Sequence, residues 1–96
     1  MKKLYRMNCD YGRMGSLYGM FVAEESDVEK LIGKTLYFGE VLGKHSDIYG
    51  ELEASDITVV SDNQEVINIL VQAIGSESIS GYNPFDYYEE DEDEEE

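Results

Sequence analysis

His45 and Cys9 are the only imidazole and the only thiol in this 96-residue chain. A zinc site or a nucleophilic pair would need them together, completed by carboxylates alone. Their spacing does not group them, so they read as a turn histidine and a half-buried strand cysteine. The stretch GEVLGKHS, Gly39 to Ser46, comes near the pattern of a phosphate-binding loop. That loop requires Gly, four residues and Gly-Lys-Ser/Thr, so that amides cradle phosphates and a hydroxyl holds magnesium. Here three residues separate Gly39 from Gly43, His45 replaces the hydroxyl, and a strand follows where a helix is needed. No Asp-x-Asp-x-Asp-Gly calcium loop is present. Glu51 and Glu53 share one strand face and would hold a hard cation only weakly, so they read as a solvated acidic surface. The expectation is a protein without catalysis, cofactor or bound metal.

The chemistry that does stand out is charge. The chain has 22 acidic and 7 basic residues, a formal net charge of -15. Nine of the acids lie after Pro84: Asp86, then Glu89, Glu90, Asp91, Glu92, Asp93, Glu94, Glu95 and Glu96 without interruption. The preceding part carries 13 acids and 7 bases, a balance of -6. Such a charge opposes direct contact with nucleic acid or an anionic membrane and favours a partner with a basic surface. One cysteine permits no intrachain disulfide, which fits a reduced, cytoplasmic setting. The start, MKKLYRMNCDYGR, has no long apolar run behind it and does not read as a signal peptide. No apolar stretch reaches the length of a membrane span.

The elements that carry these residues follow from periodicity. KKLYRMNC and SLYGMFVA alternate around DYGRMG and read as a hairpin; TLYFGEVL and DIYGELEA flank GKHS as a second. DITVV is a further short strand and SISGY a last one at an edge. Ser26-Asp27-Val28-Glu29 and Ser61-Asp62-Asn63-Gln64 match the capping box, so a helix is expected after each. In the second, Val66, Ile69, Leu70, Ala73 and Ile74 take the spacing of an apolar face and Gly75 ends it. LYGMFVA and IYGELEA share Tyr-Gly and Ala at one offset, so the order can be read as a hairpin-helix repeat. The fold class is α+β: a mainly antiparallel sheet of about five strands, with both helices on one face. The other face would present Tyr18, Met20 and Val22 beside Tyr49, Glu51 and Glu53. Residues 1–83 form this domain and 84–96 a disordered acidic, aromatic tail.

Tyr5, Tyr18, Tyr37 and Tyr49 read as core residues or hairpin pairs. Phe85, Tyr87 and Tyr88 lie past the last periodic segment and against the acid run. An extended peptide advances roughly 3.3–3.6 Å per residue, and a nucleic-acid strand carries one phosphate per about 3.4 Å. Eight carboxylates can therefore match the linear charge density of such a strand, with adjacent rings where a protein stacks bases. In acidic balance, small size and tyrosine-acid ending the chain resembles small phage-encoded inhibitors that imitate DNA, among them antirestriction and anti-CRISPR proteins. That resemblance implies occlusion of a nuclease or defence complex: Glu51, Glu53, Phe85 to Tyr88 and the acids from Glu89 to Glu96 would occupy a basic nucleic-acid-binding groove. Two other readings compete. The body is a specific protein- or small-ligand-binding module with a solubilising tail, or the tail folds back on Lys2, Lys3 and Arg6 and shields them.

Overall fold

The computed structural model describes residues 1–41 and 47–88; the loop containing Gly43, Lys44, His45 and Ser46 and the acids Glu89 to Glu96 lie outside the described residues. Among the described residues no helix is long and apolar enough to cross a membrane. The class is α+β, as the alternation and the caps imply.

β1 (Lys2–Asp10) and β2 (Ser16–Glu24) form an antiparallel hairpin, in register from Lys2 opposite Glu24 to Asp10 opposite Ser16. The turn between them closes through the Asp10 carboxylate, which accepts a hydrogen bond from Gly12 N at 2.8 Å. β2 runs straight into helix α1 (Glu25–Leu31). β3 (Thr35–Gly39) pairs antiparallel with β4 (Ile48–Glu51). β5 (Ile57–Ser61) leads to α2 (Gln64–Ile74), and β6 (Ser78–Gly81) comes after it. The strands make two sheets, one of four in the order β5-β1-β2-β6 and one of two, β3-β4.

The helices lie on opposite faces of the larger sheet, not on one face. On one side Tyr5, Met7, Cys9, Leu17, Phe21 and Ala23 pack with Val28 and Leu31 of α1 and with Leu36, Phe38, Ile48 and Leu52 of the hairpin β3-β4. On the other, Leu4 and Val22 pack with Ile67 of α2. The cause is in β1 and β2 themselves. Leu4 and Tyr5 are both buried, as are Phe21, Val22 and Ala23 in succession. Strands that are apolar on both faces need cover on both. The single open face expected to join Tyr18 to Tyr49 and Glu51 therefore does not exist: they belong to different sheets, and α2 covers Val22 and part of Met20.

The helix starts also differ from the capping-box reading. α1 begins at Glu25, and its N-cap Glu24 makes no side-chain cap. The Glu24 carboxylate is instead held by the N-terminal amine at 2.7 Å. Acids Glu25 and Asp27 in the first turn complement the helix dipole there. α2 is capped by Asn63, whose side-chain oxygen accepts from Glu65 N and Val66 N, and Gly75 ends it in the left-handed conformation. Its packed residues are Ile67, with Leu70 and Val71 partly buried, while Val66, Ile69 and Ile74 are exposed. Seven apolar residues cover more than half the circumference of this helix, so spacing alone permits more than one inward face. In the roll adopted, Ile67 packs onto Leu4 and Val22, and the Gln64 Nε2 donates to Lys2 O at 2.7 Å.

Candidate functional site

The C-terminal residues are where structure and sequence expectation part most usefully. β6 joins β2 at Gly19, opposite Gly81, and a Cβ built on Gly19 would stand 1.7 Å from Tyr82 O. Only a residue without a side chain admits this approach. It lets Tyr82 N donate to Tyr18 O at 3.0 Å and aims the chain back across the domain. Asn83 then fixes a short 3-10 turn, Pro84–Asp86. Its side-chain oxygen accepts from Phe85 N at 3.0 Å, and its Nδ2 donates to Ser78 Oγ at 2.8 Å.

The residues of this turn and the two tyrosines beyond it are packed. Pro84 is buried, and the Phe85 ring meets Phe21 edge-on at 5.8 Å. The Tyr87 ring lies 4.6 Å from Phe38 and 5.9 Å from Tyr82, centre to centre. Tyr37 N donates to Tyr87 O at 2.9 Å, and Tyr88 forms an antiparallel bridge with Leu36. Tyr87 and Tyr88 thus lie along β3, and residues 84–88 pack as part of the domain, past the boundary expected at residue 83. Phe85 and Tyr87 contribute their rings to the core instead of offering them as stacking platforms; Tyr88 is half-buried and Asp86 exposed.

Beside this root lies the outer face of the hairpin β3-β4. Leu36 and Phe38 point inward, which leaves Tyr37 outward, directly opposite Tyr49. The two rings stack at 6.1 Å with 13° between their planes, 44% and 61% exposed. One step along, Thr35 faces Glu51, which is exposed. Glu53 is also exposed, but it sits past the end of β4 where it caps a 3-10 turn, its N–H donating to the Asp56 carboxylate at 3.0 Å. Of the expected acidic pair, only Glu51 lies beside the tyrosines within a strand. From sequence Tyr37 and Tyr49 read as core residues or hairpin pairs; the register makes them a pair, and the inward alternation of Leu36, Phe38 and Ile48 turns it outward.

Asp86 belongs to a second acidic region. It lines an open cleft of about 480 Å³, together with Glu24, Asp27, Glu77, Lys2 and Phe85. The positive charge there is already engaged, because Lys2 Nζ pairs with the Glu77 carboxylate. Lys3 Nζ likewise pairs with Glu25 at 2.9 Å. Both ammonium groups are favoured in their charged form, chiefly by those hydrogen bonds. Two of the three cations expected to receive a folded-back tail thus have carboxylate partners within the body.

Cys9 is buried, and burial, with a smaller contribution from Asp56, pushes its thiol up to about 11. Burial raises Tyr11 as well, and its hydrogen bond with Cys9 adds to the effect. Both groups are neutral at physiological pH, and a thiol so held is a poor nucleophile. Among the described residues no three histidine, cysteine or carboxylate side chains gather as a metal site. Comparison with protein-family models, with curated proteins and with solved structures finds no match for this chain.

Proposed function

We propose that this protein is a small non-catalytic inhibitor of the phage type, which acts in the host cytoplasm by occupying a basic nucleic-acid-binding surface of a nuclease or defence complex. The observation that carries the reading is the rooted tail. The eight carboxylates from Glu89 to Glu96 come directly after Tyr88, whose backbone is bridged to Leu36 beside the stacked Tyr37 and Tyr49 and the exposed Glu51. Tyr88, to which the acids are joined, is therefore held at a defined place, next to an exposed aromatic and acidic face. A solubilising tail needs no such anchorage. Rings at this face supply large rigid contact at low entropic cost, and the acids supply long-range attraction toward arginine and lysine.

Capture from a bacterial lysate at low salt tests this. Nucleic-acid-binding proteins should be retained by the native chain and released by duplex DNA or by salt, since charge-dominated contacts are screened. Changing every acid from Glu89 to Glu96 to its amide should abolish that retention while leaving the fold intact. If the amide chain retains the same proteins, the tail is a solubiliser and the mimicry reading fails. The stacked tyrosines favour one alternative, a protein-binding module that uses the outer face of β3-β4. It predicts binding that Tyr49→Ser weakens and salt scarcely affects.

A further inference from the structure

Alternation along the hairpin β3-β4 leaves one aromatic side chain in a charged setting. Tyr49 is 61% exposed, and Asp47 and Glu51, two residues before and after it, are exposed as well. Among the described residues neither carboxylate makes an ion pair, whereas Glu24, Glu25 and Glu77 are all engaged by cations. The Tyr37 ring stacks against Tyr49 with 13° between the planes, which restricts the rotation of both. Tyr37 is itself held through its backbone, where its N–H donates to Tyr87 O at 2.9 Å. The surface is a backed aromatic platform with a carboxylate on either side in the chain.

Its chemistry selects among occupants. A tyrosine ring presents the negative face of its quadrupole, which attracts a cation. Nucleic-acid bases stack on such rings, but their phosphates are repelled by a chain of net charge -15. The same charge opposes a second copy of the chain. An uncharged partner laid over Tyr49 takes Glu51 out of water and returns nothing to it. A cation satisfies ring and carboxylate together. We propose that the outer face of β3-β4 takes an arginine side chain of the partner, its guanidinium laid on the Tyr49 ring and its N–H groups turned to Glu51. The site belongs to the basic partner proposed above and rests on that reading.

Arginine fits this surface better than lysine. A guanidinium is planar and weakly hydrated, stacks flat on a ring and keeps its donors in its own plane, whereas an ammonium is a compact, strongly hydrated point charge. Residues two apart in a strand stand about 6.5 Å apart, and a cation acts on a ring within about 6 Å of its centre. One guanidinium therefore spans from Tyr49 to Glu51. The Glu51 Oε2 lies 3.8 Å from where a Cβ of Gly33 would stand, on the side away from Tyr49. That side chain is exposed, so rotamer changes that bring it toward the ring take only ps to ns.

Titration of the full chain with a capped hexapeptide of alternating arginine and glycine tests this, followed by nuclear magnetic resonance at the Tyr49 ring and the Gly50 amide. The peptide should shift both signals, and salt should weaken its binding. The same peptide with citrulline for arginine, planar but uncharged, should leave them in place. Tyr49→Leu should weaken the arginine peptide about two- to fivefold, and Tyr49→Phe should bind it as the native chain does; circular dichroism confirms that both are folded. The titrations are repeated in the chain whose acids from Glu89 to Glu96 are amides. There the arginine peptide should still shift the Tyr49 ring, and Tyr49→Leu should still cost the same factor. Tyr49→Leu that binds as tightly as its parent in both chains overturns the proposal. So does a citrulline peptide, or a thymidine dinucleotide, that shifts the Tyr49 ring as the arginine peptide does. Mimicry by the tail fails on a different result, unchanged lysate capture by the amide chain, so the two ideas fall separately.

Discussion

Gly19→Ala should detach the C-terminal segment. The added methyl carbon would begin 1.7 Å from Tyr82 O and 2.7 Å from Tyr82 N, where ordinary contacts start near 3.4 Å. Both neighbours are backbone, so no side-chain rotation relieves the overlap, and β2 and β6 must part by well over an ångström. Separation of that size breaks the 3.0 Å bond from Tyr82 N to Tyr18 O and the pairing of Gly19 with Gly81. Two to three hydrogen bonds at about 1 kcal/mol net each give a loss of about 2–3 kcal/mol. The loss grows if Pro84, Phe85 and Tyr87 lift from the core. For a domain of this size that corresponds to a fall in Tm of about 10–20 °C. Gly50→Ala is the natural control, since Gly50 is the sequence counterpart of Gly19 in the Tyr-Gly repeat. Its added carbon meets only the Tyr11 ring, at 3.5 Å, an ordinary contact. Denaturant titration of both variants, with amide exchange read at Tyr37 N, decides the matter. Equal stability of the two, or an unchanged Tyr37 amide in Gly19→Ala, would refute the idea that this close approach roots the tail.

Ile67→Ala should cost about 2–5 kcal/mol, and Ile69→Ala less than about 0.5 kcal/mol, by denaturant titration; the reverse order would mean that α2 packs on its other face. A chain ending at Tyr88 should match the full chain in thermal melting at high salt, whereas one ending at Asn83 should melt well below it, because it lacks the Phe85 and Tyr87 rings. The raised pKa of Cys9 makes stability pH-dependent at the alkaline end. The unfolded thiol ionises near its ordinary 9.0 and the folded one only near 11. Stability should therefore fall as pH rises between those values, and Cys9→Val should flatten that part of the profile. Thiol reagents at neutral pH should label Cys9 in the native protein only after unfolding.

The hairpin β1-β2 was legible because its alternation and its Gly-rich turn agree. The burial of both its faces was missed, because alternation puts Met20 and Val22 in solvent although the run Met20 to Ala23 is apolar without a break. The inward face of α2 could not be read from spacing, since its apolar arc is wider than the face it buries. The root of the tail carries no periodic signal at all. Pro84, Phe85 and Tyr87 find their places because Gly19 lets β6 approach, which is a fact of three dimensions. Of the candidate site, the hairpin that carries Tyr37 and Tyr49 was in the pattern, whereas their pairing needed the register, and the separation of Glu53 from Glu51 came from a turn that no alternation predicts.

The position of β1 in its sheet has a consequence for the birth of the molecule. β1 is a central strand, flanked by β2 on one side and by β5, residues 57–61, on the other. Its Leu4 is covered only when α2 has been made, and Tyr88 closes onto Leu36 only later still. Contacts of such sequence separation slow folding, because a large loop must close before they form. The nascent chain thus carries the hairpin β1-β2 with its Leu4 and Val22 uncovered until α2 has emerged. The acids beyond Tyr88 follow all these elements in synthesis, so the hairpin passes through that uncovered stage without their charge.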